Sequence, residues 1–182
     1  MKNRVVRGRL ILVSLVLLFA LPVIVAKVIL SNNWYQSGVT NNGQLFDPVV
    51  SYKSLGLNNP LQSQSWQLGF VVPAKCDRFC SQQLYLLGQS HTALGKYQAR
   101  VTPVVYFTAD SDASVKKDYP YRIIDVSNSF TEEVHESEFL IVDPLGQLVM
   151  RYPKVDTANK LVTQSKGLLS DLKKLLKLSR VG

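Results

Sequence analysis

The chain of 182 residues is long enough for one ordinary domain and a short additional element, and too short for several domains. Its net charge of +8 is not a nucleic-acid signature, because residues 1–30 hold five Lys/Arg and no Asp/Glu and leave 16 basic and 13 acidic residues, a balance of +3, for the rest. No arginine-rich run interleaved with aromatics occurs, so nucleic acid is excluded as the expected partner.

Residues 1–9 are a basic start carrying Lys2, Arg4, Arg7 and Arg9. From Leu10 to Leu30 the chain is apolar apart from Ser14 and Lys27, long enough for a helix to cross a hydrocarbon core of about 30 Å. Pro22 does not forbid such a helix, since membrane helices tolerate proline. The flanking cations predict a cytoplasmic N-terminus with everything after residue 30 exported, which in a bacterium means the periplasmic face of the inner membrane. A cleaved signal peptide is the rival reading. It needs a small-x-small site, and the best available is Ile24-Val25-Ala26, with a bulky residue where a small one is wanted. Residues 10–30 are therefore read as an uncleaved transmembrane anchor.

Residues 31–65 are punctuated by Asn32, Asn33, Gly38, Asn41, Asn42, Gly43, Asn58, Asn59 and Pro60, and read as a linker and lead-in with at most a short strand or two. Trp66 to Val72 is a short aromatic and β-branched run stopped by Pro73, the pattern of a buried strand. After Cys76 and Cys80, Ser81 to Leu94 carries Leu84, Leu87, His91 and Leu94 at helical spacing, with Gly95 as the stop. Arg100 to Thr108 is a second apolar strand, and residues 109–133 are polar and mixed around a short Ile123–Val126 run. Glu138–Val142 and Leu148–Tyr152 flank Asp143-Pro144-Leu145-Gly146-Gln147, a turn suited to a hairpin. Lys160 to Leu178 places Leu161, Leu168, Leu172, Leu175 and Leu176 on one face of an amphipathic helix. Strand, helix, strand, hairpin and helix in this order predict an α/β, thioredoxin-like domain over residues 66–178, with the final leucines packed on the sheet and the lysines forming a solvated face.

The two cysteines lie at the join of the first strand and first helix. In an oxidising compartment such a pair is a disulfide or a working dithiol. A disulfide between residues four apart closes a small loop and constrains the unfolded chain little, so chemistry is the stronger reason for it. A helix beginning near Cys76 would put both sulfurs at its N-terminus, where the dipole and free N–H groups favour thiolate. Lys75 and Arg78 add positive charge there and Asp77 opposes it. Thiolate both attacks disulfides and binds soft metals such as Cu(I). His135, just before the hairpin, is on its own an ordinary surface histidine, but in this fold the loop before the hairpin packs beside the start of the first helix. An imidazole there would complete a two-sulfur, one-nitrogen copper site. His91 reads as a helix-face residue with no role.

These residues resemble the Sco family of membrane-anchored copper proteins, thioredoxin-fold factors that help assemble the dinuclear copper centre of cytochrome c oxidase. The shared pattern is an N-terminal anchor, the strand Trp66–Val72 leading into Cys76-x-x-x-Cys80, and His135 followed by Phe139–Val142 and Asp143-Pro144-Leu145-Gly146. The resemblance implies Cys76, Cys80 and His135 as copper ligands. It also implies the copper-bearing oxidase subunit or other assembly factors as partners. The chain departs from the family at Asp77 and Ser81, where prolines usually follow the cysteines. It departs again at Asp110-Ser111-Asp112-Ala113, where the family has an Asp-Pro-Glu-Arg-Asp-like stretch. It is also similar to small proteobacterial membrane proteins associated with oxidase assembly. The shared marks there are Trp66-Gln67-Leu68, Leu94-Gly95-Lys96, the Asp143–Pro153 hairpin and Asp171-Leu172-Lys173-Lys174-Leu175-Leu176. Such proteins do not dependably carry the histidine.

Three functions are consistent with this reading. One is an oxidase assembly factor that binds copper or reduces copper-site cysteines, with Cys76 attacking and Cys80 resolving. Another is a general periplasmic thiol-disulfide oxidoreductase, a class that usually has Cys-x-x-Cys and a proline just before the hairpin strand, where this chain has Glu138. The third is a scaffold whose cysteines form only a local disulfide.

Overall fold

A computed structural model describes residues 2–31 and 41–180. They fall into two compact units, Met1–Thr40 and Asn41–Gly182. The first is built on one helix, α1, Lys2–Ser31, with Pro22 inside it. Its stretch Val6–Ile29 is long and apolar enough to cross a membrane. Leu10, Leu12, Leu15, Phe19, Val23 and Val28 are all exposed, so the helix is apolar all round rather than along one stripe. That is the surface a lipid solvent requires and a protein core does not.

The second unit is a six-stranded mixed sheet. Its strands are β1 (Gln44–Ser51), β2 (Trp66–Val71), β3 (Val101–Phe107), β4 (Arg122–Asp125), β5 (Phe139–Val142) and β6 (Gln147–Tyr152), in the order β1-β6-β5-β2-β3-β4. Strand β2 lies at the centre, parallel to β3 and antiparallel to β5. All of its residues are buried, as expected of a strand covered on both faces, and its one polar side chain, Gln67, is hydrogen-bonded to Tyr52, Tyr106 and Asn59. The helices are α2 (Arg78–Thr92), α3 (Val115–Asp118), α4 (Asn128–Thr131) and α5 (Ala158–Leu178). Leu84 and Leu87 of α2 and Leu161, Leu168, Leu172 and Leu176 of α5 share one core with Leu68, Phe70, Val105, Phe107 and Ile141. Each such leucine contributes about 1.5–3 kcal/mol by leaving water. The opposite face of the sheet packs Val71, Val104, Tyr106, Leu140 and Val142 against Tyr52, Leu61, Phe130 and Val134. The β2-α2-β3 unit followed by the β5-β6 hairpin and α5 is the expected thioredoxin arrangement.

The structure extends that reading at two places. Residues 32–40 of the expected linker lie outside the described residues. The rest of the 31–65 segment is part of the fold: β1 pairs antiparallel with β6, and Tyr52 and Leu61 are buried. Its apolar residues come in ones and twos because it is an edge strand followed by turns, so it carries no periodic signal. The folded unit begins at Asn41 and not at Trp66. The second place is the irregular 109–133 stretch, where residues 122–125 form β4, a parallel partner of β3.

One carboxylate fastens the start of the domain to its last helix. Asp171 of α5 is buried and accepts hydrogen bonds from the backbone N–H groups of Asn42 at 2.7 Å and Gly43 at 2.9 Å. It also accepts from Asn42 Nδ2 at 3.0 Å and from the Tyr152 hydroxyl at 3.0 Å. Lys174 Nζ stands 4.0 Å away. A buried charge is tolerated only with partners of this number and kind.

Candidate redox and metal site

Strand β2 ends against Pro73, and the chain turns through Ala74 and Lys75 into the cysteines. Helix α2 does not begin at Cys76. Asp77 is its N-cap, and the side chain of Asp77 accepts from Phe79 N and Cys80 N, both at 2.9 Å. This is ordinary Asp capping, which a carboxylate two to three residues ahead of free N–H groups performs well. Cys76 therefore lies before the helix and Cys80 in its first turn. The picture of two sulfurs one turn apart on a helical face is replaced by a residue ahead of the cap bonded to one in the first turn.

Cys76 and Cys80 are joined by a disulfide, with Cα atoms 5.1 Å apart. Cys80 is buried at 3% exposure, whereas Cys76 is half-buried and open to solvent on one side. The Cys76 N–H donates to Oδ2 of Asp112 at 3.0 Å. Asp112 reaches there from the loop after β3. Its Oδ1 accepts from Ser114 N at 3.0 Å, and its own N–H donates to Pro73 O at 3.0 Å. These backbone donors hold the Asp112 carboxyl below the usual carboxylate range. The neighbouring Ser111 hydroxyl donates to Val72 O at 2.7 Å, tying the same loop to the end of β2.

The segment before β5 packs beside the cysteines as expected. Ser137 N donates to Val71 O at 2.8 Å, Val71 N donates to Glu138 O at 3.0 Å, and Gln83 Nε2 of α2 donates to Ser137 O at 3.1 Å. Ser137 adopts φ of 63°, the left-handed region, within this turn. Glu138, which stands where a proline would mark a general oxidoreductase, is buried at 5% exposure, and its Oε2 accepts from His135 N at 3.3 Å. Two neighbouring hollows open on this surface. One, of about 270 Å³, is lined by Lys75, Asp77, Cys80, Gln83 and Lys154 among others. The other, of about 330 Å³, is lined by Thr108, Asp110, Asn128 and His135 among others. Ala74 and Glu136 line both, with Ala74 N donating to Glu136 Oε2 at 3.4 Å.

His135 is thus exposed and on the hollow adjoining that of Cys80. In this disulfide-bonded form the two sulfurs are bonded to each other. Among the described residues no three His, Cys, Asp or Glu side chains stand together as a metal donor set. Reduction would free two sulfur donors, which suits a soft ion, and leaves the imidazole across the Ala74–Glu136 ridge as the candidate third. His91 sits on α2, its Nε2 2.8 Å from Val101 O, and belongs to the loop that leads into β3. Sequence reasoning missed Asp112 as a contact of Cys76. An aspartate in a polar loop carries no sign of what it touches across 36 residues of chain.

Residues 66–179 match the protein-family model described as "Transmembrane-like, thioredoxin-like, C-terminal domain". No curated protein matches the chain in sequence. Among solved structures the chain is similar to yeast Sco1 with copper bound, at 19% identity over 78% of this chain and 96% of that one, with a TM-score of 0.48. It is similar also to BsSco, a member of the Sco family of cytochrome c oxidase assembly proteins with a disulfide switch, at 14% identity over 80% and 99% of the two chains and a TM-score of 0.42. A third is a secreted Mycobacterium tuberculosis disulfide oxidoreductase homologous to E. coli DsbE, at 15% identity over 58% and 83% of the two chains and a TM-score of 0.38. At these identities the likeness is one of fold.

Proposed function

For a chain that belongs to the family of transmembrane-like, thioredoxin-like C-terminal domains, we propose a membrane-tethered dithiol factor for cytochrome c oxidase assembly, acting through Cys76 and Cys80. The observation that carries this reading is the asymmetric pair: a partly buried Cys76 bonded to a fully buried Cys80 at the head of α2. The basic residues 2–9 orient the anchor with its N-terminus in the cytoplasm, and the domain works at the periplasmic face of a bacterial inner membrane.

In the redox mode, the reduced pair meets a disulfide between the copper-site cysteines of an oxidase subunit. Cys76 thiolate attacks one target sulfur, an S–S bond forms between them, and the other target sulfur leaves as thiolate and takes up a proton. Cys80, deprotonated, then attacks Cys76 Sγ and releases the second target thiol. The target gains two electrons and two protons. This chain ends with the Cys76–Cys80 disulfide, and a dithiol donor must reduce it again.

In the metal mode the same reduced pair binds copper. Cys76 and Cys80 would hold it as thiolates and His135 would supply a nitrogen, the soft and borderline donors that suit Cu(I). Bound copper would be passed to the oxidase subunit.

The test is Cu(I) competition with the full chain in detergent, reduced and anaerobic, beside Cys76→Ser, Cys80→Ser and His135→Ala. One-to-one binding lost in all three variants supports delivery of copper with this ligand set. Binding lost only in the cysteine variants keeps the metal role and removes His135. No binding by the intact chain leaves the reductant mode, and unimpaired oxidase assembly by a Cys76→Ser, Cys80→Ser double variant would reduce the protein to a scaffold.

A further inference from the structure

Both cysteines have their backbone N–H groups held by carboxylates, and the two carboxylates come from different parts of the chain. Asp77, the cap of α2, takes the N–H of Cys80 together with that of Phe79. Asp112, from the loop after β3, takes the N–H of Cys76 at 3.0 Å. The first N–H groups of a helix are the usual source of stabilisation for a thiolate lying at its start. Here two of them are already satisfied by Asp77. The N–H of Cys76 itself is taken by Oδ2 of Asp112 and is not free for a sulfur. Lys75 and Arg78 are the cations nearest in sequence, and both are exposed, so water screens their charge.

We propose that Asp112 is a positioning residue that biases the Cys76–Cys80 pair toward the disulfide, making the reduced chain a strong electron donor. The inference rests on the dithiol reading above and adds the direction in which that dithiol works. A hydrogen bond to a charged acceptor is stronger than one between neutral groups. In the disulfide this bond fixes the Cys76 backbone where its sulfur meets Cys80. In the dithiol the two sulfurs are not held together, so fixing the Cys76 backbone in that place favours the disulfide. Stabilising the disulfide relative to the dithiol lowers the reduction potential. The dithiol then gives its two electrons to a target disulfide and is left as Cys76–Cys80.

The test is the thiol-disulfide equilibrium of the full chain in detergent at pH 7 against a dithiothreitol redox buffer, read by alkylation of free thiols. Asp112→Ala should shift the equilibrium about tenfold toward the dithiol, a potential about 30 mV less negative. Asp112→Asn keeps an acceptor oxygen without the charge and should shift it less, in the same direction, and Asp112→Glu should return it toward the wild-type value. Ser111→Ala is the structural control. It breaks the bond from the same loop to Val72 O without touching Cys76 and should leave the potential where it was. An Asp112→Ala equilibrium constant within about twofold of wild type overturns the proposal, as does a Ser111→Ala shift as large as the roughly tenfold one expected of Asp112→Ala. A wild-type pair that never exchanges with the buffer overturns the dithiol reading itself.

Discussion

The hydroxyl of Tyr152, at the end of β6, donates a hydrogen bond to Oδ2 of Asp171 at 3.0 Å, inside the buried junction between the hairpin and α5. The same oxygen takes the N–H groups of Asn42 and Gly43. Asp171→Ala would remove the acceptor of four donors, the N–H groups of Asn42 and Gly43, Asn42 Nδ2 and the Tyr152 hydroxyl. The expected cost is about 3–5 kcal/mol, against about 1 kcal/mol for Tyr152→Phe, which removes one donor and keeps the carboxylate paired. Urea unfolding of the two variants, followed by tryptophan fluorescence, measures both. Equal losses would show that the carboxylate is not the hub.

Gly69 of β2 lies under the ring of Tyr106, whose hydroxyl donates to Gln67 Oε1 at 2.8 Å and accepts from the Tyr52 hydroxyl at 3.3 Å. A Cβ at position 69 would run into Tyr106 Cε2. The ring is held by its hydroxyl and by Phe130, 5.0 Å away between centroids, so it has nowhere to go. Gly69→Ala is expected to destabilise the domain by about 1–3 kcal/mol, the range for overpacking a filled core. Thermal unfolding checks the loss, and adding Tyr106→Val should recover part of it whereas Tyr106→Phe should not.

Burial pushes the phenol of Tyr52 up to about 12 from its ordinary value of 10.0, and that of Tyr106 well above the ordinary tyrosine range. A phenol that keeps its proton longer in the folded chain loses nothing below pH 10, where both states are protonated. Between pH 10 and 12 the unfolded chain ionises and the folded one does not, so stability falls with rising pH by about 3 kcal/mol for Tyr52 alone. Denaturation midpoints measured across that window should drop steeply in the wild type and less steeply in Tyr52→Phe. Identical slopes would mean that Tyr52 ionises alike in both states.

The unequal exposure of the two cysteines predicts unequal reactivity once the disulfide is reduced. In Cys80→Ser the remaining Cys76 is half-exposed, and in Cys76→Ser the remaining Cys80 is buried at 3%. Mixed-disulfide formation with oxidised glutathione should be at least about tenfold faster for Cys80→Ser, because attack needs an accessible sulfur. Mass spectrometry of the adduct follows the rates. Comparable rates would remove the assignment of Cys76 as the attacking thiol.

Legibility in the sequence followed periodicity and punctuation. Trp66–Val72 was readable because a central parallel strand is apolar on both faces, and α5 because its leucines recur on one face. The position of the cysteines at the strand-to-helix join was readable from Pro73 before them and the leucine spacing after. Strand β1 was not. It sits at the sheet edge, includes Pro48, and leaves Leu45 and Val49 exposed, so nothing in it alternates cleanly. The start of α2 is set by the capping carboxylate of Asp77, which lies ahead of the leucine spacing that marks the rest of the helix. The links from Asp112 to Cys76 and from Asp171 to Asn42 join residues far apart in the chain, and only the folded chain brings them together.

The grip of Asp171 on Asn42 and Gly43 also has a mechanical meaning. In a protein tied to a bilayer by α1, any pull along the backbone enters the folded unit at Asn41. That load does not fall first on β1, whose pairing with β6 is interrupted by a bulge between Leu45 and Val50 and would peel from the edge one bond at a time. It is taken up by a carboxylate set in the middle of α5, a 21-residue helix whose leucines are seated across the sheet. Tension on the tether is thereby passed to α5 and the core beneath it as well as to the edge strand.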